Sequence, residues 1–206
     1  MVKVKICGIT DLRDGLKAYE MGADFAGFVF FENSPRKIES EHARVIIEDM
    51  PKDIQKVGLF LDQDLQEVRD TAKKCHLDFV QLHGSESPDY CRGLSGDVRI
   101  IKAFKVKDVS SIENADDYEN VYYYLFDTFV KGVPGGTGLS FDWNILAGKQ
   151  FKKPFFLAGG LNPQNVADAI HKVSPFAVDV ASGVEKSPGK KDYRRLKEFM
   201  DNAKKA

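Results

Sequence analysis

Cysteine is scarce in this chain of 206 residues: there are three, Cys7, Cys75 and Cys91, and no Cys-x-x-Cys pair. That excludes a disulfide framework and suits a reducing compartment, the cytoplasm. The four histidines, His42, His76, His83 and His171, make no His-x-x-x-His or mixed His/Cys cluster, so neither a metal nor a metal-dependent chemistry is expected. An excess of one charge is also lacking. Thirty Lys and Arg face 31 Asp and Glu, a net charge of -1 that argues against a strongly basic nucleic-acid binder. No apolar run approaches the roughly 18 residues of a membrane span, and the first ten residues lack the apolar core of a signal peptide. The expected partner is therefore a small molecule, with no nucleic acid and no membrane.

What is present is a chain that can bury a large core, 43% hydrophobic and 11% aromatic. Short apolar runs at 2–7, 25–31, 57–61, 79–83, 100–104, 122–127, 155–158 and 177–181 read as eight strands. Most are continuous rather than alternating, as in a parallel sheet covered by helices. Between them lie helical stripes: Leu12, Leu16 and Tyr19; Leu65, Val68, Ala72 and Cys75; Val166, Ile170 and Val173; Leu196, Phe199 and Ala203. Ser40, Asp64 and Asn162-Pro163 stand where helix N-caps are expected.

No Pro/Gly/Ser-rich linker divides the chain, so residues 1–206 are expected to form one domain. Eight successive βα units close naturally into a (β/α)8 barrel. The rival, an open doubly wound sheet, calls for a Gly-x-Gly-x-x-Gly turn after the first strand. The chain has Cys7-Gly8-Ile9-Thr10 there instead.

In such barrels the active site lies at the carboxyl ends of the strands. Strand one ends in Cys7, strand two leads into Ser34-Pro35-Arg36, strand four ends in His83, strand six in Asp127, and strand eight carries Asp179. A strand-end thiol opposite cations could ionise below its free value of about 8.5 and serve as nucleophile or proton acceptor. Cys75 and Cys91 read instead as small buried hydrophobes. Asp127 closes an apolar run, where partial desolvation favours a protonated carboxyl and suits a general acid. Arg36 is either a solvated charge or, if its loop folds over the mouth, a fork for a planar carboxylate. His83 and Asp179 are each either substrate contacts or internally satisfied polar groups.

Glycine turns indicate the substrate class. Gly159-Gly160 follows strand seven and Ser182-Gly183 follows strand eight, the two loops where these barrels commonly hold phosphate through backbone N–H groups. A third glycine segment, 132–138, follows Asp127 and is long enough for a mobile lid.

These motifs, in order, resemble one family along nearly the whole chain. They are Lys5-Ile6-Cys7-Gly8-Ile9-Thr10, Gly27-Phe28-Val29-Phe30 with Ser34-Pro35-Arg36, Val80-Gln81-Leu82-His83-Gly84, Phe126-Asp127-Thr128, Leu157-Ala158-Gly159-Gly160-Leu161 and Asp179-Val180-Ala181-Ser182-Gly183-Val184-Glu185. The family is phosphoribosylanthranilate isomerase, of tryptophan biosynthesis. The resemblance implies a small (β/α)8 barrel, monomeric or homodimeric, that needs no cofactor and catalyses an Amadori rearrangement. It further implies Asp127 as the acid that opens the furanose ring, Cys7 as the base at C2, and Arg36 on the anthranilate carboxylate. The alternatives are another phosphosugar isomerase or epimerase barrel, which calls for metal-ligating His and Asp at several strand ends, and a non-catalytic phosphate-ligand barrel.

Overall fold

Eight parallel strands close into a barrel in the order of the chain in the computed structural model, which describes residues 1–128 and 141–206. They are β1 (Lys3–Cys7), β2 (Phe25–Val29), β3 (Gln55–Phe60), β4 (Phe79–Leu82), β5 (Arg99–Val106), β6 (Tyr123–Thr128), β7 (Phe155–Leu157) and β8 (Ala177–Val180). β8 pairs back onto β1, with Lys5 level with Asp179, and β1 pairs onto β2, with Cys7 level with Gly27. The strand ends lie within two residues of the sequence reading, the usual latitude of such boundaries.

Side chains alternate across each strand, so one parity fills the barrel. Phe25, Val57, Phe79, Ile101, Leu125 and Phe156 form its apolar floor. There the Phe25 ring meets Phe156 edge to face at 5.2 Å and Phe79 at 6.0 Å. Removing each ring from water contributes about 1.5–3 kcal/mol. Two residues further along the same strands the inward positions turn polar: Gln81 above Phe79, Asp127 above Leu125, Asp179 above Ala177. The opposite parity, including Val4, Ile6, Ala26, Phe28 and Val80, packs outward under the helices.

Those helices are α1 (Leu12–Glu20), α2 (Ser40–Asp49), α3 (Leu65–Lys74), α4 (Pro88–Leu94), α5 (Val166–Val173) and α6 (Tyr193–Lys205). Asp64 caps α3 through the Gln66 and Glu67 N–H groups, as its position suggests. The other two expected caps are different. Glu39 occupies the cap of α2 with no side-chain bond, while the Ser40 hydroxyl accepts from Lys74 Nζ at 3.1 Å. Asn162 folds back on the Gln164 N–H at 2.9 Å in a turn of its own, which delays α5 to Val166. Nor is every connection an α-helix. Between β5 and β6 lie two 3-10 turns, Val109–Ile112 and Ala115–Asp117. Asp108, Ser110 and Ser111 hydrogen-bond one another and the local backbone there, in competition with a regular helix. No described helix is long and apolar enough to cross a membrane. The expected lid, 132–138, lies outside the described residues.

Candidate active site

The mouth of the barrel holds a cavity of about 400 Å³, within the range that encloses small ligands. Cys7, Arg36, His83, Asp127, Gly159, Gly160, Asp179 and Ser182 all line it, so these residues singled out by sequence converge; Gly183, singled out with them, is not in the lining.

Asp127 is fixed from two sides. One carboxylate oxygen lies 3.0 Å from His83 Nε2 and the other accepts the Thr128 N–H at 2.8 Å. Gln81 Nε2 lies 2.9 Å from His83 Nδ1. With the amide donating to Nδ1, the imidazole proton sits on Nε2 and points at Asp127. Gln81 is in the lining of the cavity, and its Oε1 is buried without a partner among the described residues. Gly159, at φ +84°, packs against both Asp127 and Thr128, and a Cβ would strike them. Only glycine lets this loop pass so close behind the carboxylate.

Cys7 is buried at the opposite wall, between two lysines that sequence reasoning did not single out. Lys5, fully buried, holds both oxygens of Asp179 at 2.9 and 3.0 Å. Lys191 donates to the Cys7 carbonyl and to Glu185 Oε1, the latter at 2.9 Å. Burial pushes the Cys7 thiol up, Lys5 and Lys191 pull it down, and Asp179 opposes them; the balance lies above the ordinary thiol value. This corrects the expectation of a thiol ionising below its free value, because desolvation outweighs the cations.

Arg36 is neither solvated nor unattached. Its Nε and Nη2 engage Glu185 at 2.8 to 3.1 Å, a two-pronged pair set among buried groups. Among the described residues that pair leaves Nη1 without an acceptor. Burial pushes the Glu185 carboxyl up, but the Arg36 hydrogen bonds and Lys191 bring it below the usual range.

Across the mouth, the backbone N–H groups of Gly159 and Gly160 meet no acceptor among the described residues. After β8 a single 3-10 turn, Ser182–Val184, begins with its own first N–H groups free of intrahelical bonds. The two loops thus bring backbone donors without acceptors among the described residues to one side of the cavity. Among those residues no group of His, Cys, Asp and Glu could hold a metal ion.

Against this geometry stand the relatives. The family described as "N-(5'phosphoribosyl)anthranilate (PRA) isomerase" matches residues 4–202. The chain belongs to the PRA isomerase family. A PRA isomerase of Geobacter sulfurreducens is 50% identical over 204 residues, covering 99% of each chain. The crystal structure of the PRA isomerase of Thermotoga maritima superposes with a TM-score of 0.94 at 42% identity, over the full length of both chains. A PRA isomerase in complex with reduced 1-(o-carboxyphenylamino)-1-deoxyribulose 5-phosphate aligns at a TM-score of 0.87 and 41% identity, again over both full chains.

Gln81 in the lining of the cavity, and Lys5, Glu185 and Lys191 beside it, were not singled out by sequence reasoning. Lys5 could have been found, since a lysine two residues before Cys7 shares its inward face. Lys191 could not, because no local pattern shows β9 (Glu185–Ser187) and β10 (Lys190–Lys191) folding back under Cys7.

Proposed function

We propose that the chain isomerises N-(5'-phosphoribosyl)anthranilate to 1-(2-carboxyphenylamino)-1-deoxyribulose 5-phosphate, with Asp127 as general acid and Cys7 as general base. The observation that carries this reading is the placement of an anchored carboxyl and a buried thiol on opposite walls of one cavity, between a guanidinium and a pair of glycine loops. A substrate with an aryl carboxylate at one end and a phosphate at the other fits that order. Nη1 of Arg36 meets the carboxylate; the N–H groups of Gly159, Gly160, Ser182 and Gly183 meet the phosphate. The two grips fix the sugar carbons between acid and base.

Protonated Asp127 gives its proton to the furanose ring oxygen, and the C1–O bond breaks as the anilino nitrogen lone pair forms a C1=N iminium. The Cys7 thiolate then takes the C2 proton. The C–H electron pair becomes C1=C2, and the iminium π pair returns to nitrogen. The enolamine tautomerises to the ketone, losing the hydroxyl proton at C2 and gaining a proton at C1. Every step is a proton transfer or a shift of an electron pair within the substrate, so no redox partner enters. His83 orients Asp127, and Gln81 orients His83. Asp179 acts through Lys5 and does not itself touch the substrate. The enzyme works in the cytoplasm as a monomer or homodimer.

The test is turnover of phosphoribosylanthranilate in D₂O followed by NMR, with deuterium expected in the C1 methylene of the product. Cys7→Ala and Asp127→Asn should each lower kcat by about 10²- to 10⁴-fold with a smaller effect on KM. Full turnover in either variant removes that residue from the mechanism.

A further inference from the structure

A buried thiol that must act as an anion needs a counter-charge, and the geometry around Cys7 indicates which of its neighbours supplies it. Lys5 and Cys7 are two positions apart on β1 and project from the same face into the barrel. Both side chains end over Gly27 on the neighbouring strand: a Cβ built there would lie 2.9 Å from Cys7 Sγ and 3.1 Å from Lys5 Nζ. The absent side chain of Gly27 is thus the space in which sulfur and ammonium come together. Lys5 is fully buried, and among the described residues its only charged hydrogen-bond partner is Asp179.

The charged groups nearby can be taken in turn. Lys191 lies on the far side of Cys7, but it is held by Glu185 and by the Cys7 carbonyl. Arg36 is held by Glu185. Asp127 and His83, across the cavity, are held by each other. Of the cations near the thiol, Lys5 alone has its ammonium beside the sulfur: Lys191 is given to Glu185 and to the Cys7 carbonyl, with the buried Asp14 carboxylate on its own N–H, and Arg36 is given to Glu185.

We propose that Lys5, held in place by Asp179, is a positioning residue for the isomerisation: its ammonium is the counter-charge that sustains the Cys7 thiolate in the closed interior of the barrel. The proton released by Cys7 leaves to solvent, and Lys5 keeps its own throughout. Asp179 has two opposed effects. It fixes the ammonium beside the sulfur, and it competes with the sulfur for that ammonium. The proposal rests on Cys7 as the base, yet its test reads the thiol directly.

The experiment is the rate of iodoacetamide alkylation of Cys7 against pH, read on the Cys7 peptide by mass spectrometry, with kcat and KM measured in parallel. In Lys5→Met the alkylation profile should move up by about one pH unit or more, a roughly tenfold loss of thiolate below the midpoint. kcat should fall by a similar factor near neutrality, recover as pH rises, and leave KM within about threefold of wild type. In Asp179→Asn the profile should move the other way, because the buried ammonium is left with the sulfur as its only anion. A variant that merely loosens the barrel has no reason to give opposite signs. If Lys5→Met does not fold, Lys5→Met/Asp179→Asn leaves no unpaired buried charge and should still show an upward, smaller displacement. An unmoved alkylation profile in the folded Lys5 variant overturns the proposal, whatever happens to kcat. Wild-type turnover in Cys7→Ala instead overturns the reading of Cys7 as base and leaves the Lys5 effect on the thiol standing.

Discussion

Arg36 and Glu185 lie side by side, 149 positions apart in the chain, with Nε and Nη2 of the guanidinium both on the carboxylate. The same carboxylate accepts from Lys191 beneath Cys7. One acidic side chain therefore aims the group proposed to receive the substrate carboxylate and also ties down the floor under the base.

Glu185→Gln tests that double role. With its anion gone, Arg36 is no longer aimed, and KM should rise by about 3- to 10-fold with a smaller change in kcat. Stability gives a second reading. The folded carboxyl titrates below its usual value of about 4.3, so its contribution is complete above that pH and disappears as pH falls through the folded value. The stability of the wild type to urea should fall on acidification below about pH 4.3, and the Gln variant should show a shallower decline. Equal KM and identical acid profiles would leave Glu185 without either role.

The thiol of free Cys7 titrates above the ordinary thiol range, so the thiolate population grows as pH rises towards that titration. The kcat/KM of the wild type should follow a bell-shaped pH profile whose two limbs belong to the coupled acid and base rather than to either residue alone. Cys7→Ser, a much weaker acid, should lose most activity at neutral pH and retain only a residue that climbs with pH. An unaltered profile in that variant would transfer the C2 proton to another group, His83 being the first to examine.

His83→Asn removes the Nε2–H that points at Asp127 while keeping a polar side chain. With the carboxyl then held, among the described residues, by the Thr128 N–H alone, kcat should drop about tenfold and KM should move little. A change confined to KM would mean that His83 touches the substrate rather than the acid.

Gly159→Ala places a methyl group against Asp127 and Thr128 at a backbone angle disfavoured for any residue with a Cβ. The strain alone should cost about 1–3 kcal/mol of stability. Displacement of Asp127 should remove activity beyond that loss. Chemical unfolding followed beside kcat separates the two effects, and a stable, fully active variant would show that the loop can retreat.

The barrel and its mouth were legible because both follow from local patterns. Apolar runs at βα spacing mark the strands, and whatever stands at their carboxyl ends must share one face; Cys7, His83, Asp127, Gly159 and Ser182 were found in this way. What could not be read is how these groups are partnered. Arg36 offers the same fork whether it is solvated or paired, and only the returning chain after β8 puts Glu185 against it. Nothing local in the sequence around Asp179 shows that Lys5 on β1 stands opposite it and takes both its oxygens. The direction of the Cys7 shift was misread for a related reason: cations near a strand end can be inferred from sequence, but the depth of burial that outweighs them cannot. Ser40 shows the same limit on a smaller scale, since a lysine from α3 claims the hydroxyl expected to cap α2.

The closure of β1 onto β8 also has a temporal meaning. Lys5 and Asp179 are separated by 174 positions, and at about 5–20 residues per second a ribosome completes one on the order of ten seconds or more after the other. During that interval β1 has β2 along one edge and nothing along the other, an open template for a stray strand. Cys7 meanwhile stands without the carboxylate that holds Lys5 and without the loop that brings Lys191. The site is therefore complete only once β8 has sealed the ring, and until then the free edge of β1 is the one a stray strand can join.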